Sequence, residues 1–160
     1  MRLAVLSDTH GFTSDVVQSL KEMPQIDYLI HLGDHYVDGI QILQETHLEG
    51  LSIKGNNDYF FEKKPMEFTT LRVGEYRIFI CHGHQFGVHH GVEDLVAHGK
   101  EQGCNVCLYG HTHAFRDLLV DGVRVINPGS PVLPRYPDKH KSYAILEIGE
   151  QIELERIILE

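Results

Sequence analysis

Cysteine is scarce in this 160-residue chain, with Cys81, Cys104 and Cys107 the whole complement. An odd number of thiols, behind an N-terminal apolar run too short for a signal peptide, points to reduced cysteines in the cytoplasm rather than a disulfide framework. Cys104-Asn105-Val106-Cys107 has C-x-x-C spacing, but no second such pair completes a structural zinc site. Val106 to Tyr109 reads as a strand, which takes Cys107 into the core. Long apolar runs are also missing. None approaches the roughly 20 residues of a membrane span, so no membrane is expected. Cations are the third shortage: Lys and Arg number 14 against 23 Asp and Glu, a formal charge of −9. That balance speaks against long nucleic acid as a partner, because backbone affinity comes from clustered Lys and Arg. A bound divalent cation would reverse the local field, so a small phosphoester substrate stays open.

What remains is an ordinary globular composition, 42% hydrophobic and 23% charged. A single domain over residues 1–160 is expected, long enough for a sizeable core. The 12 histidines are the oddity. Imidazole ligates metals but also fills cores and surfaces, so position must decide.

Taken in order, Leu3 to Leu6 reads as a buried strand. Ser14-Asp15 then offers capping chemistry to a helix carrying Val16, Val17, Leu20 and Met23, stopped by Pro24. Tyr28 to Leu32 is a second strand. A helix follows from about Val37 to Thr46, weakened by Gly39, and Leu51 to Lys54 is a third short strand. Tyr59 to Glu67 reads as a loop. Phe68 to Val73 and Tyr76 to Cys81 form a hairpin turning at Gly74-Glu75. Val92, Leu95 and Val96 mark a third helix, ending near Gly103, before the strand from Val106 to Tyr109. Asp121-Gly122 is a strong hairpin signal between Leu118 to Val120 and Val123 to Ile126. Two alternating strands, Tyr143 to Ile148 and Ile152 to Leu159, close the chain. Helices mixed with late hairpins predict α/β layers with mixed sheets.

Five of these strands finish in metal-ligand chemistry. They yield Asp8 and His10, Asp34, Asn56, His82, and His111 with His113, usually beside a glycine. Ligands at the carboxyl ends of strands lie where open α/β sheets carry their active sites. An extended backbone would point Asp8 and His10 the same way. Taken singly, each residue has a local explanation: Asp34 as a turn former, Asn56 in a left-handed turn, His82 as a polar strand end. Together they form a set of oxygen and nitrogen donors too large for one tetrahedral ion and suited to two, with Asp34 the natural bridge. Mixed His and carboxylate donors without thiolate favour Mn²⁺, Fe²⁺, Ni²⁺ or Zn²⁺ over Ca²⁺.

Asp8-Thr9-His10, Gly33-Asp34, Gly55-Asn56, His82-Gly83 and Gly110-His111-Thr112-His113 resemble the ordered D-x-H, G-D, G-N, H-G and G-H-T-H motifs of calcineurin-like metallophosphoesterases. With Asn127-Pro128-Gly129-Ser130 included, the chain is most similar to the small YfcE-like phosphodiesterase branch, from Leu3 to about Ile148. The resemblance implies a four-layer αββα sandwich of two mixed β-sheets flanked by helices. It also implies a ligand split, with Asp8, His10, Asp34 and His113 on one metal and Asp34, Asn56, His82 and His111 on the other. Manganese is the favoured ion, with nickel, iron, zinc or magnesium as alternatives.

Two ions about 3.5–4 Å apart hold a hydroxide for in-line attack on phosphorus. The expected activity is therefore phosphodiester hydrolysis, with Asn56 stabilising charge on the phosphoryl oxygens and contacting substrate. Many relatives carry G-N-H, whose histidine serves as a general acid, whereas this chain has Asn57. His84, two residues past His82, is the candidate replacement for that proton donor and a candidate substrate contact. His35 reads as a surface or supporting group and His31 as a satisfied core histidine. His47, His89, His90, His98 and His140 have no assigned role. Phe12, Tyr59, Phe60 and Arg135 are candidates for shaping substrate access. The competing readings are a protein-interaction scaffold of the same fold, like the retromer subunit, and a phosphomonoesterase, nuclease or nucleotide pyrophosphatase. A homo-oligomer, dimer or tetramer, through Tyr59, Phe60 and Phe61 is the expected self-association.

Overall fold

The computed structural model of the chain describes residues 1–59 and 65–160. Its first half runs β1 (Arg2–Leu6), α1 (Ser14–Glu22), β2 (Tyr28–His31), α2 (Tyr36–Thr46), β3 (Gly50–Ser52), β4 (Phe68–Val73) and β5 (Tyr76–Cys81). A 3₁₀ turn at His84–Phe86 leads to α3 (Glu93–Glu101), β6 (Val106–Leu108), β7 (Arg116–Val120), β8 (Val123–Asn127), β9 (Ser142–Ile148) and β10 (Ile152–Ile158).

β1 explains the layering. Its residues Leu3, Ala4, Val5 and Leu6 are all fully buried, as a strand covered on both faces requires. Alternation sends Leu3 and Val5 into a cluster with Ile30, Leu32, Ile78, Ile80 and Leu108. Ala4 and Leu6 go to the other face, against Val16, Val17 and Leu20 of α1 and Ile42 of α2. The second sheet does the same: Phe79, Val123 and Val125 pack with Leu95 and Val96 of α3. Each such fully buried aliphatic side chain contributes about 1.5–3 kcal/mol of burial free energy.

The sheets are five-stranded, in the orders β10-β9-β1-β2-β3 and β4-β5-β6-β8-β7. β1, β2 and β3 run parallel, as do β5, β6 and β8, while the remaining pairings are antiparallel. Two mixed sheets with their inner faces joined in one core, and helices outside, make the expected αββα sandwich. Among the described residues no helix is long and apolar enough to cross a membrane.

Several local expectations need correction. α2 runs unbroken through Gly39, where packing calls for glycine; a Cβ there would lie 2.3 Å from Ser52 Oγ and 2.8 Å from the His31 side chain, so its bareness lets the helix sit down on the sheet. β7 begins at Arg116, earlier than its apolar alternation indicated, because the antiparallel ladder pairs Arg116 with Asn127 regardless of side-chain pattern. Leu119 of that edge strand is exposed. Cys81, Cys104 and Cys107 are free, buried thiols, in keeping with packing. The aromatic loop falls largely outside the described residues, and with it Phe60 and Phe61; Tyr59 is exposed.

Candidate metal centre

The carboxyl ends of β1, β2, β3, β5 and β6 bring all seven sequence-identified positions to one edge of the sandwich. The backbone there is not extended. Asp8, His10, Asp34, His111 and His113 all have positive φ, between 46° and 66°. Non-glycine residues held in this region are strained, and such strain persists where surrounding structure enforces it. Asp8 and His10 therefore converge through two left-handed turns rather than through strand alternation, which corrects the simple extended picture.

Among the described residues, Asp8, His10, Asp34 and His113 are the one group of His, Cys, Asp or Glu whose ligand atoms all lie within 4.8 Å of one another. Asp8 Oδ1 lies 3.1 Å from His113 Nε2, 3.8 Å from His82 Nε2 and 4.0 Å from His10 Nε2. The other oxygen, Oδ2, accepts from the Ser7 hydroxyl at 2.6 Å and the His111 backbone N–H at 3.0 Å. Asp8 is thus anchored by one oxygen and aims the other inward. Burial alone would raise its pKa, but His113, the charge of His82 and the Ser7 hydroxyl outweigh that and hold it near 2.

The histidines are oriented the same way. His82 Nδ1 donates to the Leu32 carbonyl at 2.7 Å, and His113 Nδ1 to the Leu133 carbonyl at 2.8 Å. Each leaves Nε2 facing the centre, the arrangement by which backbone carbonyls fix metal-ligating imidazoles. His10 Nε2 is 3.3 Å from His113 Nε2. Burial lowers the pKa of His10, and burial together with the charges of His82 and His89 pushes His111 down to about 4. Both effects favour the neutral, ligating form. Burial also opposes protonation of His113, but the Asp8 carboxylate 3.1 Å away outweighs it, and its pKa is raised.

Asp34 joins this set to the other. Its Oδ2 is 3.9 Å from His10 Nε2, and its Oδ1 is 3.4 Å from His82 Nε2. Beyond His82, His111 Nδ1 donates to Asn56 Oδ1 at 2.9 Å, close enough for one cation to take both atoms in place of the shared proton. The rings of His82 and His111 are 5.2 Å apart.

Buried Asp8 Oδ1 and His82 Nε2 have no hydrogen-bond partner. Unpartnered buried polar atoms are costly, and two of them converging on the same space suit a cation held between them. The donors are imidazoles, carboxylates and an amide, a set suited to first-row divalent metals. The residues present fit metal ions.

Several residues have supporting roles that the sequence reading did not assign. Asn57, noted only as a lost acid, holds Asp34 at both oxygens: its backbone N–H donates to Oδ1 at 3.0 Å and its side-chain amide to Oδ2 at 2.6 Å. Buried Asp58 accepts from the N–H groups of Gly55 and Tyr36 at 2.8 and 2.9 Å, fastening the Asn56 turn to the start of α2. Asn127 Nδ2 donates to the Gly110 carbonyl at 2.9 Å and Thr112 Oγ1 at 3.0 Å, and its Oδ1 accepts from Gly129 N–H at 2.9 Å. The Ser130 hydroxyl donates to the Asp8 carbonyl at 2.8 Å. A polar run at the end of apolar β8 was the available signal for the last two.

His84 stands beside the centre, its ring 5.5 Å from that of His82 and 6.1 Å from that of His111. It arrives there through the 3₁₀ turn after Gly83, not by continuing the strand direction of His82. Burial and the charge of His82 lower its pKa. His31 is fully buried and satisfied, its Nδ1 accepting from Gly33 N–H at 3.2 Å and its Nε2–H donating to Thr9 Oγ1 at 2.9 Å. The His35 ring lies 5.4 Å from that of His10, with Nδ1 3.9 Å from Asp38 Oδ2. His89, given no role from sequence, has its ring 4.5 Å from that of His111. Phe12 is exposed, and the Arg135 backbone N–H donates to the His113 carbonyl at 3.0 Å.

Comparison with known proteins adds an independent line. Residues 1–151 match the family model for the calcineurin-like phosphoesterase superfamily domain. A probable metallophosphoesterase of Mycoplasma pneumoniae is 31% identical over 152 residues, covering 93% of this chain and 91% of that protein. A solved structure described as a novel archaeal phosphodiesterase superimposes with a TM-score of 0.77 at 25% identity, covering 99% of this chain and 100% of that one. Vps29 of Entamoeba histolytica, solved with Zn²⁺, has a TM-score of 0.78 at 20% identity, with 99% of each chain covered, a likeness of fold alone.

Proposed function

Because the chain belongs to the calcineurin-like phosphoesterase superfamily, we propose that it is a binuclear metal-dependent phosphodiesterase acting on small phosphodiesters. The observation that carries this reading is the position of Asp34 between two ligand sets, one oxygen 3.9 Å from His10 Nε2 and the other 3.4 Å from His82 Nε2. Asp8, His10, Asp34 and His113 would hold one ion, and Asp34, Asn56, His82 and His111 the other. Manganese is the favoured ion. When bound, two divalent cations supply Lewis-acid charge at the phosphoryl oxygens and lower the pKa of water.

The chain's own contribution is positioning. Ser7, Leu32, Leu133 and Asn57 hold the ligand side chains in place through the hydrogen bonds described above. Hydrolysis adds the oxygen of water to phosphorus, breaks one P–O ester bond, and leaves an alcohol oxygen that needs a proton. Asn57 carries no exchangeable acid of useful pKa, so His84 is the candidate donor. Burial and the charge of His82 lower the pKa of His84, so a proton held there is given up to a leaving group more readily than by a free imidazole.

The test is hydrolysis of bis(p-nitrophenyl) phosphate and p-nitrophenyl phosphate by metal-stripped protein, with Mn²⁺, Ni²⁺, Mg²⁺ or Zn²⁺ restored separately. The reading expects metal-dependent cleavage of the diester above the monoester, lost in Asn56→Ala and His82→Ala. Binding of metal without cleavage under any condition would instead favour the scaffold, for which the fold likeness to Vps29 is the supporting observation.

A further inference from the structure

A cavity of about 280 Å³ adjoins the metal centre and is not used by the chemistry above. Its walls include Arg116, Arg135, His89, Thr112, Tyr109 and Tyr136. Three covalent and spatial ties fix its place. Thr112 lies between His111 and His113 in the chain, and the His89 ring sits 4.5 Å from that of His111. Arg135 is tied by its backbone N–H to the His113 carbonyl at 3.0 Å.

The charge of this cavity runs against that of the molecule. In a chain of formal charge −9 it is lined by two guanidinium groups and no carboxylate. Among the described residues neither arginine has an acidic partner within 4.0 Å; Arg116 Nη1 donates only to the neighbouring Phe115 carbonyl at 2.9 Å, whereas Arg2, Arg124 and Arg156 are each paired with a carboxylate. Planar guanidinium forks match phosphate oxygens in geometry and charge. Tyr136, exposed at the rim, offers a flat aromatic wall. The volume lies just under the range usual for small-molecule sites, room for a sugar phosphate rather than a large ligand.

We propose that this cavity is a subsite for a second phosphate, so that the substrates are phosphodiesters with a terminal phosphomonoester on one ester arm, gripped by Arg116 and Arg135. The proposal deepens the phosphodiesterase reading and rests on it for the identity of the cleaved bond. The diester phosphate occupies the metal centre, and the monoester end reaches over Thr112 into the cavity.

The test compares thymidine 3′-(p-nitrophenyl phosphate) with and without a 5′-phosphate, using metal-loaded protein. The 5′-phosphate is expected to raise kcat/KM at least about tenfold, chiefly through KM, as a charge-assisted hydrogen bond would. In the Arg116→Gln/Arg135→Gln double variant that advantage falls below about twofold. Both arginines lie at the surface of the cavity, and the melting temperature of the variant verifies its fold. Calorimetry supplies a readout besides activity: thymidine 3′,5′-bisphosphate should bind the wild type about tenfold tighter than thymidine 3′-monophosphate, and the double variant should bind them equally. Cleavage of both esters at the same efficiency, or an advantage that survives the double variant, overturns the subsite. If neither ester is cleaved with any metal, the phosphodiesterase reading fails and the calorimetric comparison decides the subsite by itself. A bisphosphate preference lost in the variant then sustains it, and equal binding by the wild type overturns it.

Discussion

Gly55 rests directly on the Asp34 carboxylate: a Cβ at this position would lie 2.2 Å from Asp34 Oδ1 and 2.4 Å from the Asp34 backbone nitrogen. The loop after β3 thus touches the loop after β2 at the residue that links the two ligand sets. Gly55→Ala is expected to displace Asp34 and to weaken binding of both ions about 10–100-fold, the usual cost of disturbing a ligand's surroundings. Calorimetric titration with Mn²⁺ measures it. Wild-type affinity at both sites would contradict the contact.

Asn57→Ala removes the side-chain hold on Asp34 Oδ2 but keeps the backbone hold on Oδ1. A partial effect follows, about tenfold in metal affinity. Asn57→Asp should be worse, since it sets a second carboxylate against Asp34. The order wild type, Ala, Asp in Mn²⁺ affinity is the result to look for.

His84 acts on the leaving group if it acts as proposed. His84→Ala should then slow cleavage of alkyl esters by about 10²-fold or more while costing p-nitrophenyl esters little, because a poor leaving group needs a proton in the transition state. A rate plot against leaving-group pKa for both proteins makes the comparison. Parallel lines would remove His84 from the chemistry.

Asn127 is fully buried and uses its amide on Gly110, Thr112 and Gly129. Asn127→Ala strands those groups without partners and should cost about 2–3 kcal/mol. For a chain of this size the melting temperature should fall by about 5–10 °C. Metal-loaded protein should melt above metal-stripped protein, by an amount that grows with metal concentration; at 100 times Kd one ion contributes about 2.7 kcal/mol.

Much of the molecule was legible because its signals were local. β1 is visible as a short apolar run, the Asp121-Gly122 turn as a hairpin, and the ligand positions as polar residues repeated after strands. Asp8, His10, Asp34 and His113 do meet, as their ordered motifs implied. What was not legible depended on pairings distant in sequence. Nothing local to Asn57 shows that Asp34, 23 residues earlier, receives its amide. Nor does the run at Asn127 reveal the Gly110 carbonyl above it, 17 residues away. The left-handed backbone at Asp8 and His10 was missed for a related reason: propensity argues for extended or turn conformations, while the fold around a site can enforce strained ones. His89 was passed over because its relation to His111 exists only in three dimensions.

The central claim is a pair of ions sharing Asp34, and electron paramagnetic resonance of the Mn²⁺-loaded protein tests it most directly. Two Mn²⁺ per chain with the exchange-coupled spectrum of a bridged pair, reduced in Asp34→Ala to uncoupled or absent metal, is the predicted result. A single Mn²⁺ per chain, or two that give only isolated-ion spectra in the wild type, would contradict it.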